Sequence, residues 1–436
     1  MFGYFLELAL RSLKRSKALT ALMVLAVAMG IGACMTTLTV LHVVSGDPIP
    51  GKSQKLFYPQ IEPRDEDNGF YTKGEPPEQL SWRDAMALLK AGRADRQAVM
   101  TGGMAPVQQA DTTQDPFFVR ARYTTADFFA LFDVPLKYGH AWSATEDDRR
   151  ERIAVISSSL NDKLFHGEDS IGRTVRFNGA DLRVVGVIET WRPHPHFYDL
   201  NAGNYAEGED VFLPLGTSRD IHAPRSGSRD CWGKGHQVEE NTLETADCVW
   251  VQLWVELDTP ARVADYKAFL VHYSEEQLAA GRFHLPVNVR LRNVMAWLDS
   301  QKVVPKDVHL QVWLALGFFV VCLVNTVGLM LAKFMRRSAE VGVRRALGAS
   351  RGAVFAQLVT EAGMVGLAGG VAGLLFAVLG LWLVRKQPDQ YASLAHLDLP
   401  MLAATFGMAI GATVVAGLLP AWRACQITPA LQLKSQ

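Results

Sequence analysis

RRSAEVGVRRALGASRGAVFAQLVTEA, residues 336–362, is a basic run broken by Gly and Ala that lies between two long apolar stretches. A loop that only joins two membrane helices has no need of this pattern. The segment reads as the outer surface of a short amphipathic helix that something presses against. Ala339, Gly342, Ala346 and Gly348 permit close backbone approach, and Arg344 and Arg345 are charges suited to steering onto an acidic cleft. A basic loop resting on anionic lipid headgroups accounts for the arginines but not for the embedded Glu340 or the small residues.

Outward from this segment, the 436-residue chain is 49% hydrophobic and 20% charged with no formal net charge, too apolar for disorder and too long for one small domain. Its apolar residues are bunched into four windows, Leu19–Val44, Val312–Ala332, Val354–Val384 and Met401–Pro420. Each is long enough to cross about 30 Å of hydrocarbon at 1.5 Å per residue. The first window follows Arg11, Lys14, Arg15 and Lys17, and IGAC at 31–34 loosely resembles a lipoprotein cleavage box. The apolar run continues past Cys34, however, which favours a retained helix over a secretory leader.

Basic residues near the membrane ends set orientation. The amino-terminal cluster belongs inside, as does the 333–351 segment, where Lys333, Arg336, Arg337, Arg344, Arg345 and Arg351 outnumber Glu340; only Arg385 and Lys386 argue against it. Ser45–Asp307 then lies outside, with 30 basic and 39 acidic residues. The expected order is an inside segment at 1–18, a first span at 19–44, an outer domain at 45–307 and a second span at 312–332. A coupling segment at 333–351, a third span at 354–384, an outer turn at 385–400, a fourth span at 401–420 and an inside tail at 421–436 complete it. Cys231 and Cys248 both fall in the outer segment and are predicted to form a disulfide, whose short loop contributes about 3 kcal/mol on the chain-entropy model.

The outer segment predicts an α+β domain. SWRDAMALLKAG, with Trp82, Met86 and Leu89 at helical spacing, and PARVADYKAFLVHY read as helices. FFVRARY and VWVQLWVEL alternate as strands, RIAVISSS and LRVVGVIE are short β-rich runs, and Asn178-Gly179 marks a hairpin turn. The spans are poor in ionisable groups, with Asn325 in the second and Glu361 near one end of the third. Gly366, Gly369, Gly370 and Gly373 in the third span and Gly407 and Gly411 in the fourth read as packing seams rather than a pore.

Between residues 123 and 189, Asp127, Phe128, Phe129, Gly139, Ile156, Ser157, Leu164, Phe165, Ile171, Gly172, Asn178, Gly179, Val185, Gly186 and Val187 follow a pattern that resembles the outer domain of the MacB/FtsX-like ABC permeases. The 336–362 segment resembles that family's coupling helix through Arg336, Arg337, Glu340, Gly342, Arg344, Arg345, Ala346, Gly348, Ala349, Ser350, Gln357 and Glu361. PAWRACQITPALQLK at the end of the chain is similar to the family's ending. The resemblance implies four membrane helices, one before and three after a large α+β extracytoplasmic domain, in the bacterial inner membrane with both termini cytoplasmic. It also implies that Arg336, Arg337, Glu340, Gly342, Arg344, Arg345, Ala346, Gly348 and Ala349 dock onto a cytoplasmic ATPase dimer. That ATPase would hold ATP and Mg, this chain holding no cofactor or metal of its own. A second permease copy, identical or paralogous, membrane lipid, and an adaptor with an outer-membrane channel are the further partners implied; nucleic acid is not. The expected function is a non-catalytic permease subunit for export of a periplasmic or membrane-associated cargo. Rival readings are a regulator of a cell-wall hydrolase and an ATPase-independent scaffold.

An enzymatic reading finds little footing. No G-x-x-x-x-G-K-[ST] occurs, and GSRDCWGKG at 227–235 has the wrong spacing, so hydrolysis is expected on another chain. RPHPHFYD brings His194, His196 and Asp199 together, but a Pro-rich exposed loop with incidental histidines is the better reading than a metal site. No G-x-S-x-G elbow is present, and no catalytic residue is assigned.

Overall fold

Asn178 and Gly179 take φ of 49° and 80°, the left-handed pair that a two-residue hairpin turn requires. In the computed structural model they join β7 (Thr174–Phe177) to β8 (Ala180–Ile188), with Phe177 directly opposite Ala180. The structure describes residues 15–65, 74–110, 115–233, 238–387, 391–397 and 399–426. Arg11, Lys14, Lys234, Gly235 and the tail beyond Gln426 lie outside these. The chain divides into two compact units, Asp47–Val303 and the combination of Met1–Gly46 with Val304–Gln436.

The large domain is built on one mixed sheet. Its main path runs β13 (Arg290–Asn293), β1 (Leu56–Gln60), β12 (Cys248–Glu256), β3 (Arg96–Gln109), β4 (Phe117–Thr124), β9 (Val211–Pro214), β6 (Ile153–Ser157), β8 and β5 (Leu136–Gly139). β4 with β9 and β6 with β8 are parallel, and the other pairs along this path are antiparallel. VWVQLWVEL, expected as a strand, lies in β12, all nine residues of which are buried. Leu253 and Val255 enter the main core, while Trp254 meets Phe132 and Phe197 at ring separations of 6.1 and 5.3 Å, so both faces are covered. In RIAVISSS the strand stops at Ser157, whose hydroxyl accepts from Leu160 N at 3.0 Å and caps the helix Ser158–Phe165. The helix Trp82–Ala91 buries Ala85 and Leu88, and its Trp82 stacks on Trp250 at 5.5 Å. Cys231 and Cys248 form the disulfide as direct partners between β11 (Asp230–Cys231) and β12.

In the second unit four helices are long and apolar enough to cross a membrane: Lys17–Ser45, Lys306–Arg336, Arg351–Val384 and Leu399–Gln426. These are the first to fourth spans. The fourth continues through Pro420, which the sequence reading takes as its end; a membrane helix tolerates such a residue where neighbours compensate the lost N–H. The third span carries two glycine seams. Gly369 and Gly373 lie against Val27 and Ile31 of the first span, and Gly366 and Gly370 against Thr413 and Ala409 of the fourth. Gly407 and Gly411 depart from the expectation, since a Cβ built on either meets nothing within 4 Å. Gly32, Gly380 and Gly417 supply contacts that spacing alone did not single out: Gly32 against Phe376, Gly380 against Thr36 and Gly417 against Ala362.

A Cβ at Gly373 would stand 3.0 Å from Ile31 Cγ2 and 3.2 Å from the Ala28 carbonyl. Gly373→Leu is therefore expected to destabilise the bundle by about 1–3 kcal/mol through overpacking, while Gly407→Leu is close to neutral. Thermal unfolding of the two variants in detergent separates these outcomes, and equal losses would contradict the seam assignment.

Candidate coupling site

The ALGAS segment has a local explanation at each turn of the chain. A helix over Ser338–Ala346 ends at Leu347, and Gly348 reverses the chain with φ of 101°, a conformation that L side chains adopt rarely. Ala349 packs against the apolar cluster around Val354 and Leu358, and Ser350 caps the third span by accepting from Ala353 N at 3.2 Å. A helix, a reversal and a second helix start thus fit within a few residues.

The charges of this linker helix are bonded inward. Arg344 donates to Glu340 Oε1 at 2.8 Å and to Gln357 Oε1 of the third span at 3.0 Å. Arg345 donates to the Cys425 carbonyl of the fourth span at 3.2 Å. Glu340 also faces Arg337 at 3.7 Å and Arg15, just before the first span, at 3.6 Å. Behind it, Lys333 of the second span pairs with Glu361 of the third, both side chains being 2% exposed. Arg337 reaches Glu361 at 3.6 Å, and Lys333 also donates to Thr20 Oγ1 of the first span at 3.3 Å. One short helix is thereby tied to the third and fourth spans, and through Arg15 and Arg337 to residues flanking the first and second.

Of the residues expected to dock, Glu340, Arg344 and Arg345 make contacts within the chain, Arg337 is largely covered, and Gly342 and Ala349 are half-buried. Arg336, Ala346 and Gly348 remain exposed. Two apolar side chains of the linker also project and were missed: Val343 is 57% exposed and Leu347 83%. Their i, i+4 spacing on a segment with few other apolar residues was the signal available.

In the large domain the RPHPHFYD loop is buried, not exposed. His196 is fully enclosed, with Nδ1 2.9 Å from the Asp199 carbonyl and Nε2 3.5 Å from Glu209 Oε1. Arg122 of β4 donates to Asp199 at 2.6 Å and, through Nε, to Glu209 at 3.0 Å, while Tyr198 donates to Glu209 at 2.6 Å. Burial acts to raise the Glu209 carboxyl, but Arg122 and His196 outweigh it and hold it well below the usual carboxylate range. The loop backbone is pinned to the sheet by these charges. Among the described residues no group of three or more His, Cys, Asp or Glu side chains is placed to hold a metal. The 227–233 stretch follows β10 (Arg225–Ser226), contains β11 and carries Cys231 of the disulfide, which is not the strand–loop–helix setting of a phosphate loop.

Two outcomes test these clusters. Lys333→Met leaves Glu361 buried without its lysine and is expected to cost about 3–5 kcal/mol, whereas Lys333→Met with Glu361→Met costs clearly less than the two single changes added together. Chemical denaturation of the four members of the cycle provides the comparison. His194 is held down to about 4, first by burial and then by Arg192 and His196. Its unfolded value is near 6.5, so the unfolded chain takes up the proton first and stability falls as pH drops from about 6.5 towards 4. His194→Gln should flatten the thermal midpoint across that window; an unchanged slope would remove His194 as its cause.

Comparison with known proteins agrees with the two-part organisation. Residues 20–271, more than half of the chain, match the model of the MacB-like periplasmic core domain, and residues 312–429 match the FtsX-like permease C-terminal model. The pyoverdine export ATP-binding/permease protein PvdT of Pseudomonas entomophila is 23% identical over 84% of this chain and 50% of its own length. The macrolide export ATP-binding/permease protein MacB of Marinobacter nauticus is 23% identical over 69% of this chain and 41% of its own. The chain thus spans half or less of the length of these curated relatives. The periplasmic region of MacB from Actinobacillus actinomycetemcomitans aligns with a TM-score of 0.37 at 16% identity, covering 58% of this chain and 95% of that one. With both family models matched, and one apolar helix before and three after the α+β domain along the chain, the chain belongs to the MacB/FtsX-like permease family and is an inner-membrane protein.

Proposed function

We propose that this chain is the membrane component of an ABC exporter in which ATP hydrolysis, on ATPase domains outside these 436 residues, is passed through the 338–346 helix to the spans. The observation that carries this reading is the division of labour on that helix. Its charges bind the bundle from within, and Val343 and Leu347 form an apolar ridge on the outside. Ala346 and Gly348 beside the ridge leave room for a close approach. A partner seated on the ridge moves a body that is fastened to the bundle.

The same reading places the linker helix and both termini in the cytoplasm. Arg15, Lys17, Lys333, Arg336, Arg337, Arg344, Arg345, Arg351 and Arg423 all belong to helix ends or segments on one side of the four spans, in keeping with retention of basic residues inside. The large domain then stands in the periplasm, where the Cys231–Cys248 disulfide persists. Relatives named for export of pyoverdine and of macrolides support a cargo that is a periplasmic or membrane-associated small molecule. A second permease copy and an adaptor with an outer-membrane channel complete the proposed assembly. Asn325, exposed on an otherwise apolar face of the second span, is a natural point for the second copy to make a hydrogen bond in hydrocarbon.

Leu347→Asp tests the proposal at its contact. Burying a leucine contributes about 1.5–3 kcal/mol, so loss of the ridge should weaken association with the ATPase by roughly ten- to a hundredfold. Because Leu347 is 83% exposed, the thermal midpoint of the permease itself should not move. The measurement is recovery of an ABC ATPase, and of permease-stimulated ATP hydrolysis, with wild type and variant from native membranes. Equal recovery and equal stimulation would overturn the docking role.

A further inference from the structure

A second cationic feature lies beside the linker helix and is not explained by docking. A cavity of about 380 Å³ opens between the start of the first span, the end of the second and the linker helix, with Arg15, Ser16, Lys333, Arg336, Arg337 and Glu340 on its walls. Four cations face one carboxylate. That carboxylate is already divided, since Glu340 is approached by Arg344 at 2.8 Å, Arg15 at 3.6 Å and Arg337 at 3.7 Å. Glu361 neutralises Lys333 from behind. Among the described residues, exposed Arg336 has no acid within ion-pair distance, and Arg15, its side chain 77% exposed, has only the long contact to Glu340. The cavity therefore holds a surplus of positive charge.

Two further observations point to what neutralises it. Among the described residues the buried hydroxyl of Ser16, on the cavity wall, has no hydrogen-bond partner, and it does not cap the helix that begins at Lys17. A hydroxyl donor beside the positive end of a 29-residue helix suits a phosphate oxygen. Leu19 also lines the cavity, and Leu22 and Met29, both exposed, continue the same face of the first span away from it. A ligand with a phosphate at one end and a hydrocarbon chain at the other fits this layout, since its chain has an apolar track to follow.

We propose that this cavity binds the phosphate of an anionic phospholipid, with Arg15, Arg336 and the Ser16 hydroxyl as its main contacts and an acyl chain along Leu19, Leu22 and Met29. The shared chemistry is that of a phosphate anion. The apolar track assigns the source to lipid rather than to free phosphate. Basic clefts between membrane helices at the headgroup level are suited to such lipids, each Lys or Arg contributing to binding in a salt-dependent way.

Native mass spectrometry of the full chain, stripped of lipid in a nonionic detergent, tests the site. Titration with phosphatidylglycerol, phosphatidylcholine and inorganic phosphate should show one retained phosphatidylglycerol per chain and little retention of the other two. Arg15→Gln with Arg336→Gln should weaken phosphatidylglycerol binding about 30-fold. Ser16→Ala alone should weaken it several-fold, and this variant decides the matter should the double variant fail to fold. Arg423→Gln, an exposed arginine in the last turn of the fourth span, is expected to bind as wild type does. Unchanged binding in the Arg15 and Arg336 variant, or an equal loss in the Arg423 variant, would show diffuse attraction and overturn the site. Inorganic phosphate that binds as tightly and competes would overturn the lipid assignment.

Discussion

A lysine and a glutamate, each almost wholly enclosed between apolar helices, neutralise each other there. The Lys333–Glu361 pair is the constraint on which the membrane unit's inner organisation turns. It fixes the end of the second span against the third, and through Thr20 it takes in the first. Arg337 bridges Glu361 to Glu340, and Glu340 holds Arg344 on the linker helix. The sequence of contacts is continuous from the interior of the bundle to its surface. A short helix of modest intrinsic stability is ordered by being part of that chain of charges.

The large domain uses the same device for a different purpose. An irregular segment cannot lie in a core unless its polar groups find partners. Arg122, reaching from β4 to Asp199 and Glu209, supplies them for the loop after β8, and the surrounding rings of Phe128, Phe132, Trp191 and Trp254 exclude water. The result is a wide sheet whose connecting loop is buried and bonded to its strands.

Much of this was legible beforehand because it depends on local rules. Apolar runs long enough to span a bilayer, an Asn-Gly turn, and Gly348 and Ser350 between two helices are each decided within a few residues. What escaped depends on partners distant in sequence. The spacing of Glu340 and Arg344 allows an i, i+4 pair, but nothing in the segment shows that Gln357, Cys425 and Glu361 take up the remaining charge. RPHPHFYD has the composition of a surface loop, and its burial rests on partners distant in sequence, Arg122 more than seventy residues earlier and Gln252, Trp254 and Trp297 well after it. Glycine spacing on the fourth span identified a face of the helix without identifying whether any neighbour stands on it, which is why Gly407 and Gly411 were misread.

The two glycine seams of the third span have a consequence for how this protein varies. Where a backbone rests directly on a neighbour's side chain, as at Gly373 on Ile31 and Gly370 on Ala409, the volume at one position is set by the volume at the other. A larger residue at 373 is admissible only alongside a smaller one at 31. Across related sequences these positions should drift in matched pairs that conserve total volume, whereas 407 and 411 are free to drift alone.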